Sequence, residues 1–287
     1  MSVERVLVVG AGTMGNGIAQ VIAQAGLQVA LVDVDAAALE RAQQRIEKSI
    51  GRFVSAGKLS EAEGAATRGR IALSSDLEGE AARADHVVET VVEVFDVKRD
   101  LLVTLDGLCR EEVVFASNTS QFSISQLAAA TRRPDRVIGS HWFNPPPMMD
   151  LIELVCGAAT SPQTLETALA LAERYGKQTI VCKRDTPGFI TSRLIVALGL
   201  EASRIVEEGI ADVEDVNKAC VLAFNHALGP LDTLDFSGLD TALRVAENMT
   251  EQYGERFLAP QNLRTLVRAG RLGRKSGHGF RDYGESR

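Results

Sequence analysis

The sequence has few of the features that mark specialised classes of protein. It has 287 residues but only four cysteines and four histidines, all scattered, with no Cys-x-x-Cys pair. This argues against a disulfide framework and a zinc site, so no metal is expected and the thiols should be reduced, as in the cytoplasm. Basic residues are not in excess either, since the formal net charge is −7. Nucleic acid, which favours a basic surface, is therefore not an expected partner.

Long apolar runs are also lacking. No segment approaches the roughly 20 apolar residues that span a bilayer, and the N-terminus leads into a strand without the apolar core of a secretion signal. A membrane is therefore not an expected partner. Hydrophobic residues make up 45% of the chain and charged residues 24%, as in ordinary globular proteins. This length favours one large and one smaller domain.

Short β-branched runs alternate with helical patterns in the first part of the chain, which is typical of an α/β fold with a mostly parallel sheet. Between the second and third runs, Ala36–Gly57 has helical periodicity. The predicted strands are Arg5–Val9, Gln28–Val32, Ile71–Leu73, His86–Glu89, Val113–Ala116, Arg136–Gly139, Leu151–Val155 and Thr179–Cys182.

The pattern changes after Cys182. The segment Lys183–Pro187 is charged and ends in proline, as a linker or a helix start does. We therefore predict one domain over residues 1–184 and an all-α domain over residues 185–287, where we place a homodimer interface. Within the second domain, helices are predicted over Gly188–Glu208, Val213–Ala223, Leu239–Tyr253 and Gln261–Ala269, with breaks at Gly209 and Gly229-Pro230.

A G-x-G-x-x-G motif formed by Gly10, Gly12 and Gly15 follows the first predicted strand. In such a motif the glycines permit a tight turn, a close approach of the backbone to a pyrophosphate, and close helix–strand packing. Asp33 ends the second strand, where a carboxylate binds ribose hydroxyls and repels a 2′-phosphate. These residues predict a Rossmann domain that binds NAD rather than NADP; the alternative is a glycine turn that binds no ligand.

Polar residues come after the fifth predicted strand, in the sequence Ser117-Asn118-Thr119-Ser120. Ligands of a doubly wound sheet bind beyond the carboxyl ends of its strands, so these side chains are expected to face the cofactor. In a second interpretation, Ser120 is the N-cap of a helix that starts near Ile124.

A histidine, His141, follows the sixth predicted strand, and Glu153 interrupts the apolar strand after it. An unpaired buried carboxylate is costly, so Glu153 should have a partner. That partner is either an arginine or the Nδ1–H group of His141, in which case Nε2 would serve for proton transfer. Oxidation of a secondary alcohol requires a group that accepts the hydroxyl proton, and an oriented histidine can do so.

The motifs together resemble those of one family. GAGTMGNGIAQ, VVETVVE, SNTS, HWFNPPPMM, the isolated glutamate of LIELV, and DTPGF occur in the order found in the 3-hydroxyacyl-CoA dehydrogenases. The chain resembles the single-function bacterial members that act on 3-hydroxybutyryl-CoA or related thioesters. The resemblance implies NAD as cofactor, a helical C-terminal domain that dimerises, an acyl-CoA substrate bound between the domains, and a role in fatty acid β-oxidation.

The resemblance also implies roles for individual residues. The family's catalytic pair falls on His141 and Glu153, and its serine that contacts the oxygen at C3 falls on Ser120. The CoA-binding lysines of the family match Lys48 and Arg52 on the helix after the second strand; the alternative is a merely solvated basic face. The cofactor-contacting residues fall on Asp33, Glu93, Lys98, Asn118, Asn144 and Lys275.

One position departs from the family pattern. Many members have an asparagine after P-G-F that helps to bind the substrate, and this chain has Ser192 there. A serine can still donate a hydrogen bond, but its reach is shorter, so an altered substrate preference is expected. Two other functions stay open at this point: a dehydrogenase of free 3-hydroxy acids, which would use a lysine as acid/base, and a non-catalytic NAD-binding sensor or structural protein.

Overall fold

The N-terminal part of the chain forms one eight-stranded sheet. In a computed structural model that describes residues 3–284, the strands are β1 Arg5–Val9, β2 Gln28–Val32, β3 Ile71–Ser74, β4 His86–Glu89, β5 Val114–Ser117, β6 Val137–Trp142, β7 Leu151–Cys156 and β8 Gln178–Cys182. Their order is β3-β2-β1-β4-β5-β6-β7-β8, and all neighbours are parallel except β6 and β7. The predicted α/β class with a mostly parallel sheet is confirmed.

Seven helices connect these strands: α1 Thr13–Gln24, α2 Ala36–Ser55, α3 Glu61–Gly69, α4 Leu77–Ala81, α5 Phe95–Leu108, α6 Ile124–Ala129 and α7 Pro162–Arg174. Several begin at a residue whose side chain accepts a backbone N–H, such as Asp35 before α2 and Ser161 before α7. The strands β1 and β2 are buried at every position after the first, as a parallel sheet covered by helices on both faces requires.

Up to residue 284, the regular elements of the second unit are helices, and two isolated β-bridges lie near its end. Contacts divide the chain between Thr186 and Pro187, and the boundary expected at residue 184 lies just before this division. The core of the second unit is formed by apolar residues that include Leu200, Leu231 and Met249. The helices are α8 Thr191–Glu207, α9 Val213–Phe224, α10 Pro230–Ser237, α11 Leu239–Tyr253 and α12 Gln261–Arg268.

Short 3₁₀ helices occupy Pro134–Arg136, Glu255–Phe257 and Arg274–Ser276. Among residues 3–284, no helix combines the length and the apolar character needed to cross a membrane.

One sequence-based expectation about the elements is wrong, and one helix was not predicted. The strand predicted over Arg136–Gly139 extends to Trp142, so His141 lies within β6 and not after its end. The expected break at the Gly229-Pro230 pair is present, since α9 ends at Phe224 and α10 begins at Pro230 with Gly229 as its N-cap; α10 itself was not predicted. Proline suits that position because the first N–H groups of a helix have no intrahelical acceptor.

Candidate active site

The glycine turn between β1 and α1 has the geometry of a dinucleotide-binding loop. Gly10 has φ +104°, and a Cβ on Gly15 would lie 1.8 Å from the carbonyl oxygen of Gly10. A Cβ on Gly12, the N-cap of α1, would meet no described atom within 4 Å. The backbone is therefore open at the helix N-terminus, where N–H groups and the helix dipole favour an anion. These residues fit the pyrophosphate of a dinucleotide.

Asp33 connects the end of β2 to this turn. Its Oδ2 atom accepts the backbone N–H of Ala11 at 2.7 Å, and its Oδ1 atom accepts that of Asp35 at 2.9 Å. Each carboxylate oxygen can accept a second hydrogen bond. Asp33 therefore supports the glycine turn and keeps acceptor capacity for a ribose hydroxyl.

His141 and Glu153 are directly opposite each other in the antiparallel pair of β6 and β7. The Nδ1 atom of His141 lies 2.9 Å from Oε2 of Glu153, and the glutamate has no exposed surface. A carboxylate can only accept a hydrogen bond, so Nδ1 carries the proton in this contact. Of the two partners considered for Glu153 from the sequence, the structure provides the histidine.

The turn after β5 is held by Glu93. Its Oε1 atom accepts the hydroxyl of Thr119 at 2.6 Å and the backbone N–H of Ser120 at 3.0 Å. The helix α6 is capped by Ser123, whose side chain accepts the N–H of Gln126. The alternative interpretation of Ser120 as that N-cap is therefore wrong. Ser120 lies within the turn, partly buried.

Asn118, in the same turn, is bonded to the strand that carries His141. Its Oδ1 atom accepts the backbone N–H of Trp142 at 2.9 Å. The sequence placed Asn118 and His141 in one crevice only through the general rule for parallel sheets. The structure supplies the direct connection between the two strand ends.

A functional candidate that the sequence analysis missed is Glu89, the last residue of β4. It is fully buried and accepts hydrogen bonds from the hydroxyl of Ser117, the N–H of Val91 and the ammonium of Lys98. Lys98 is 1% exposed and also pairs with Glu93 at 3.1 Å. Glu89 could have been found from the sequence, because it is a carboxylate at the end of an apolar strand and, like Glu153, needs a partner when buried.

The other residues predicted to bind ligands lie outside the strand ends described above. Lys48 and Arg52 are exposed on α2, on the face away from its buried residues, and Asn144 is exposed in the loop after β6. Ser192 lies in the first turn of α8, and Lys275 pairs with Asp240, both within the second unit.

Three of the four cysteines have the properties of unreactive thiols. Burial raises the pKa of the Cys109 thiol to about 11 and also raises the pKa values of Cys156 and Cys182. A thiol must be ionised to act as a nucleophile, so these three are unsuited to covalent catalysis at neutral pH.

Comparison with known proteins gives a consistent family. Residues 5–186 match the 3-hydroxyacyl-CoA dehydrogenase NAD binding domain, and residues 188–283 match the C-terminal domain of the same family. A Bacillus subtilis protein named probable 3-hydroxybutyryl-CoA dehydrogenase is 42% identical over 99% of both chains. A 3-hydroxybutyryl-CoA dehydrogenase of Mycobacterium tuberculosis is also 42% identical, over 98% of this chain and 99% of its own.

A solved structure shares the fold at full length. The (S)-3-hydroxybutyryl-CoA dehydrogenase PaaH1 of Ralstonia eutropha is 39% identical, with a TM-score of 0.96 over 99% of this chain and 100% of its own. The chain thus belongs to the 3-hydroxyacyl-CoA dehydrogenase family, and its first domain is the NAD-binding domain of that family.

Proposed function

We propose that this protein oxidises the 3-hydroxyl group of an acyl-CoA thioester, with His141 as the catalytic base. The observation that carries the proposal is the 2.9 Å contact between Nδ1 of His141 and the fully buried Glu153. This contact fixes the tautomer and the orientation of the imidazole, so Nε2 is the ring atom that accepts the hydroxyl proton. The imidazolium formed in this way is stabilised by the adjacent carboxylate.

Bound NAD would accept the hydride from C3 of the substrate as C3 becomes a carbonyl carbon. Ser120 would donate a hydrogen bond to the oxygen on C3, in the turn held by Glu93. The support for this role is the position of Ser120 just beyond the carboxyl end of β5, where ligands of a parallel sheet bind.

For the cofactor, we propose that Gly10, Gly12 and Gly15 form the pyrophosphate site and that Asp33 binds the adenosine ribose. The open backbone at Gly12 and the acceptor capacity of Asp33 support this assignment. The family resemblance adds further proposed contacts to the cofactor from Glu93, Lys98, Asn118, Asn144 and Lys275.

For the substrate, we propose that Lys48 and Arg52 bind the phosphates of CoA and that Ser192 lies near the acyl group. Both basic residues point away from the buried face of α2, with a spacing that puts them on one side of the helix. Names of relatives, such as that of the Ralstonia enzyme, make 3-hydroxybutyryl-CoA the reference substrate, and Ser192 in place of the family's asparagine favours an acyl chain that is bulkier or more polar.

We also propose a cytoplasmic homodimer formed through the C-terminal helices. Large apolar side chains are unusually exposed there: Leu194, Ile210, Leu222 and Phe224 are each at least 65% exposed. Burial of these side chains against a second copy of the chain would stabilise such a dimer. Light scattering of the purified protein, with Leu222→Glu as the variant expected to dissociate, tests this part.

The function is tested by following NADH formation from 3-hydroxybutyryl-CoA. His141→Gln should fold normally and lose about 10²–10⁴-fold in kcat, the usual contribution of a general base. His226→Gln, which alters an exposed histidine of the second domain, is the matched control and should retain full activity. Free 3-hydroxybutyrate should not be oxidised. Near-normal kcat in His141→Gln would refute the assignment of the base.

A further inference from the structure

A buried network of charged groups lies behind the turn that carries Ser120. Three charged side chains form it: Glu89 at the end of β4, Lys98 in the first turns of α5, and Glu93 between these two elements. Glu89 and Lys98 are 0% and 1% exposed, whereas the Glu93 side chain is 29% exposed. The network therefore extends from the interior of the sheet to the edge of the proposed site.

Lys98 links the two carboxylates. Its ammonium nitrogen lies 2.8 Å from Oε1 of Glu89, 3.1 Å from Oε2 of Glu93 and 3.4 Å from the carbonyl oxygen of Val91. Three acceptors thus surround a group that has three N–H donors. An ammonium held in this way balances the buried charge and restricts where Glu93 can lie, because breaking a buried ion pair leaves an uncompensated charge.

Glu89 also contacts the turn directly. Its Oε2 atom accepts the hydroxyl of Ser117 at 2.5 Å, and its backbone carbonyl accepts the N–H of Asn118 at 2.8 Å. Its Oε1 atom accepts the N–H of Val91, at the start of the loop that leads to Glu93. One residue therefore bonds to both loops that border this part of the sheet.

We propose that Glu89 is a positioning residue for Ser120, acting through Lys98 and Glu93 on one side and through Ser117 on the other. Glu93 holds the N–H of Ser120 and the hydroxyl of Thr119, and Glu89 holds Glu93 in place through the shared ammonium. In this proposal Glu89, which has no exposed surface, contacts neither substrate nor cofactor itself. The effect on turnover rests on the proposed role of Ser120, whereas the effect on the turn does not.

The first test is Glu89→Gln, which preserves size and removes the charge. A catalytic group displaced by about 1 Å can lose about 10²-fold in rate, so kcat for 3-hydroxybutyryl-CoA should fall about 10- to 100-fold. The rate is measured at saturating NAD, because Lys98 and Glu93, which this network joins to Glu89, are also proposed contacts of the cofactor. A second measurement uses the cofactor-free protein: hydrogen exchange of the Ser120 and Asn118 amides should accelerate.

The matched control is Asp106→Asn on α5, the helix that carries Lys98. Asp106 is also a buried carboxylate with a buried partner, since it pairs with Arg133 at 2.6 Å, near the opposite end of α5. If Glu89 contributed only to stability, both variants should have a lower unfolding temperature and no other change. Only Glu89→Gln should also lower kcat and accelerate exchange at Ser120.

If Glu89→Gln does not fold, Ser117→Ala removes a single contact of Glu89 and serves in its place. It should accelerate exchange at Asn118 and Ser120 and lower kcat by a smaller factor than Glu89→Gln would. The proposal is overturned if the folded variant has the kcat and the amide exchange rates of the wild type. It is also overturned if Asp106→Asn changes kcat and exchange at Ser120 by the same amounts. If the wild-type protein does not oxidise the thioester, the proposed function fails, and the exchange measurement still decides the role of Glu89.

Discussion

The side-chain oxygen of Asn118 accepts the backbone N–H of Trp142, the residue that follows His141. The bond joins the turn after β5 to the end of β6, next to the proposed catalytic base. Because side chains alternate along a strand, fixing the Trp142 backbone also fixes the direction of the His141 side chain. The position of the base therefore depends on a residue that precedes it by more than twenty positions.

We predict that Asn118→Ala destabilises the first domain, because the buried N–H of Trp142 loses its acceptor. An unsatisfied buried donor costs about 1–3 kcal/mol, so urea unfolding should show a loss of that size together with a lower kcat. Asn118→Asp is the control, since it retains an oxygen at the same place and should retain most of the stability. If Asn118→Ala and Asn118→Asp have the same free energy of unfolding, this hydrogen bond does not contribute to stability.

The cofactor preference should depend on Asp33. The unmodified enzyme should use NAD with a higher kcat/KM than NADP, because the carboxylate repels a 2′-phosphate. Asp33→Ala should narrow this preference mainly by weakening NAD binding, in part because the N–H of Ala11 loses its acceptor. Asp35→Asn, which alters the cap of α2, should affect stability but not the preference. Equal kcat/KM for both cofactors in the wild type contradicts this prediction.

Lys48 and Arg52 should contribute to binding of the CoA moiety. Replacing both by alanine should raise KM for the thioester and reduce its dependence on salt, because contacts with phosphates are screened by ions. NAD affinity should change little. Replacing Arg83 and Arg99, which lie elsewhere on the first domain, provides a control with the same loss of charge. If the double variant has a higher KM for NAD and an unchanged KM for the thioester, the assignment of these residues to the CoA site is wrong.

Ser192 should influence the choice of acyl chain. Serine is shorter than the family's asparagine, so in the proposed site a bulkier or more polar acyl chain would find space beside Ser192. Ser192→Asn should therefore raise kcat/KM for 3-hydroxybutyryl-CoA relative to longer or functionalised thioesters. The ratio between substrates is its own control, because a general loss of activity cancels. An unchanged ratio would show that residue 192 does not contact the acyl group.

Acid stability should depend on His86, a fully buried residue at the start of β4. Burial lowers the pKa of His86 to about 4, from 6.5 in an exposed histidine. The unfolded chain therefore binds a proton below pH 6.5 that the folded chain does not, so stability is lost as the pH falls from 6.5 towards 4. A difference of this size corresponds to about 3 kcal/mol.

The measurement compares urea unfolding at pH 7 and pH 4.5 for the wild type and His86→Leu. The variant should lose less stability on acidification, because it lacks the group that takes up the proton on unfolding. His226→Leu, at an exposed site, should keep the wild-type difference between the two pH values. Identical pH dependence in the wild type and His86→Leu would contradict the prediction.

The sequence was most informative where a local pattern determines the structure. The bounds of β1, β2 and α11 agree with those predicted, because continuous apolar runs and a clear helical repeat identify them. The strand β6 was predicted too short, since the polar residues Ser140 and His141 interrupt its apolar pattern. Pairing with β7 extends it, and pairing between strands is a tertiary effect that no local pattern contains.

The candidate site likewise contains residues that the sequence indicates and residues that it does not. His141 and Glu153 could be proposed from the sequence because a lone carboxylate in an apolar strand needs a partner. The network of Glu89, Lys98 and Glu93 could not, since it depends on which side of α5 faces the sheet. A helix periodicity predicts a buried face, but an amphipathic lysine on that face is ordinarily placed with its charge in water.

The register of β6 and β7 has a consequence for how this hairpin can vary. Successive side chains of a strand point to opposite faces of the sheet, so insertion or deletion of one residue within either strand would place His141 and Glu153 on opposite faces. The connecting loop, residues 143–150, does not set this register, although Lys177 fixes it through the carbonyl oxygens of Pro146 and Met149. A single-residue insertion or deletion in either strand is therefore expected to separate His141 from Glu153, whereas the register of the pair does not depend on the residues of the loop.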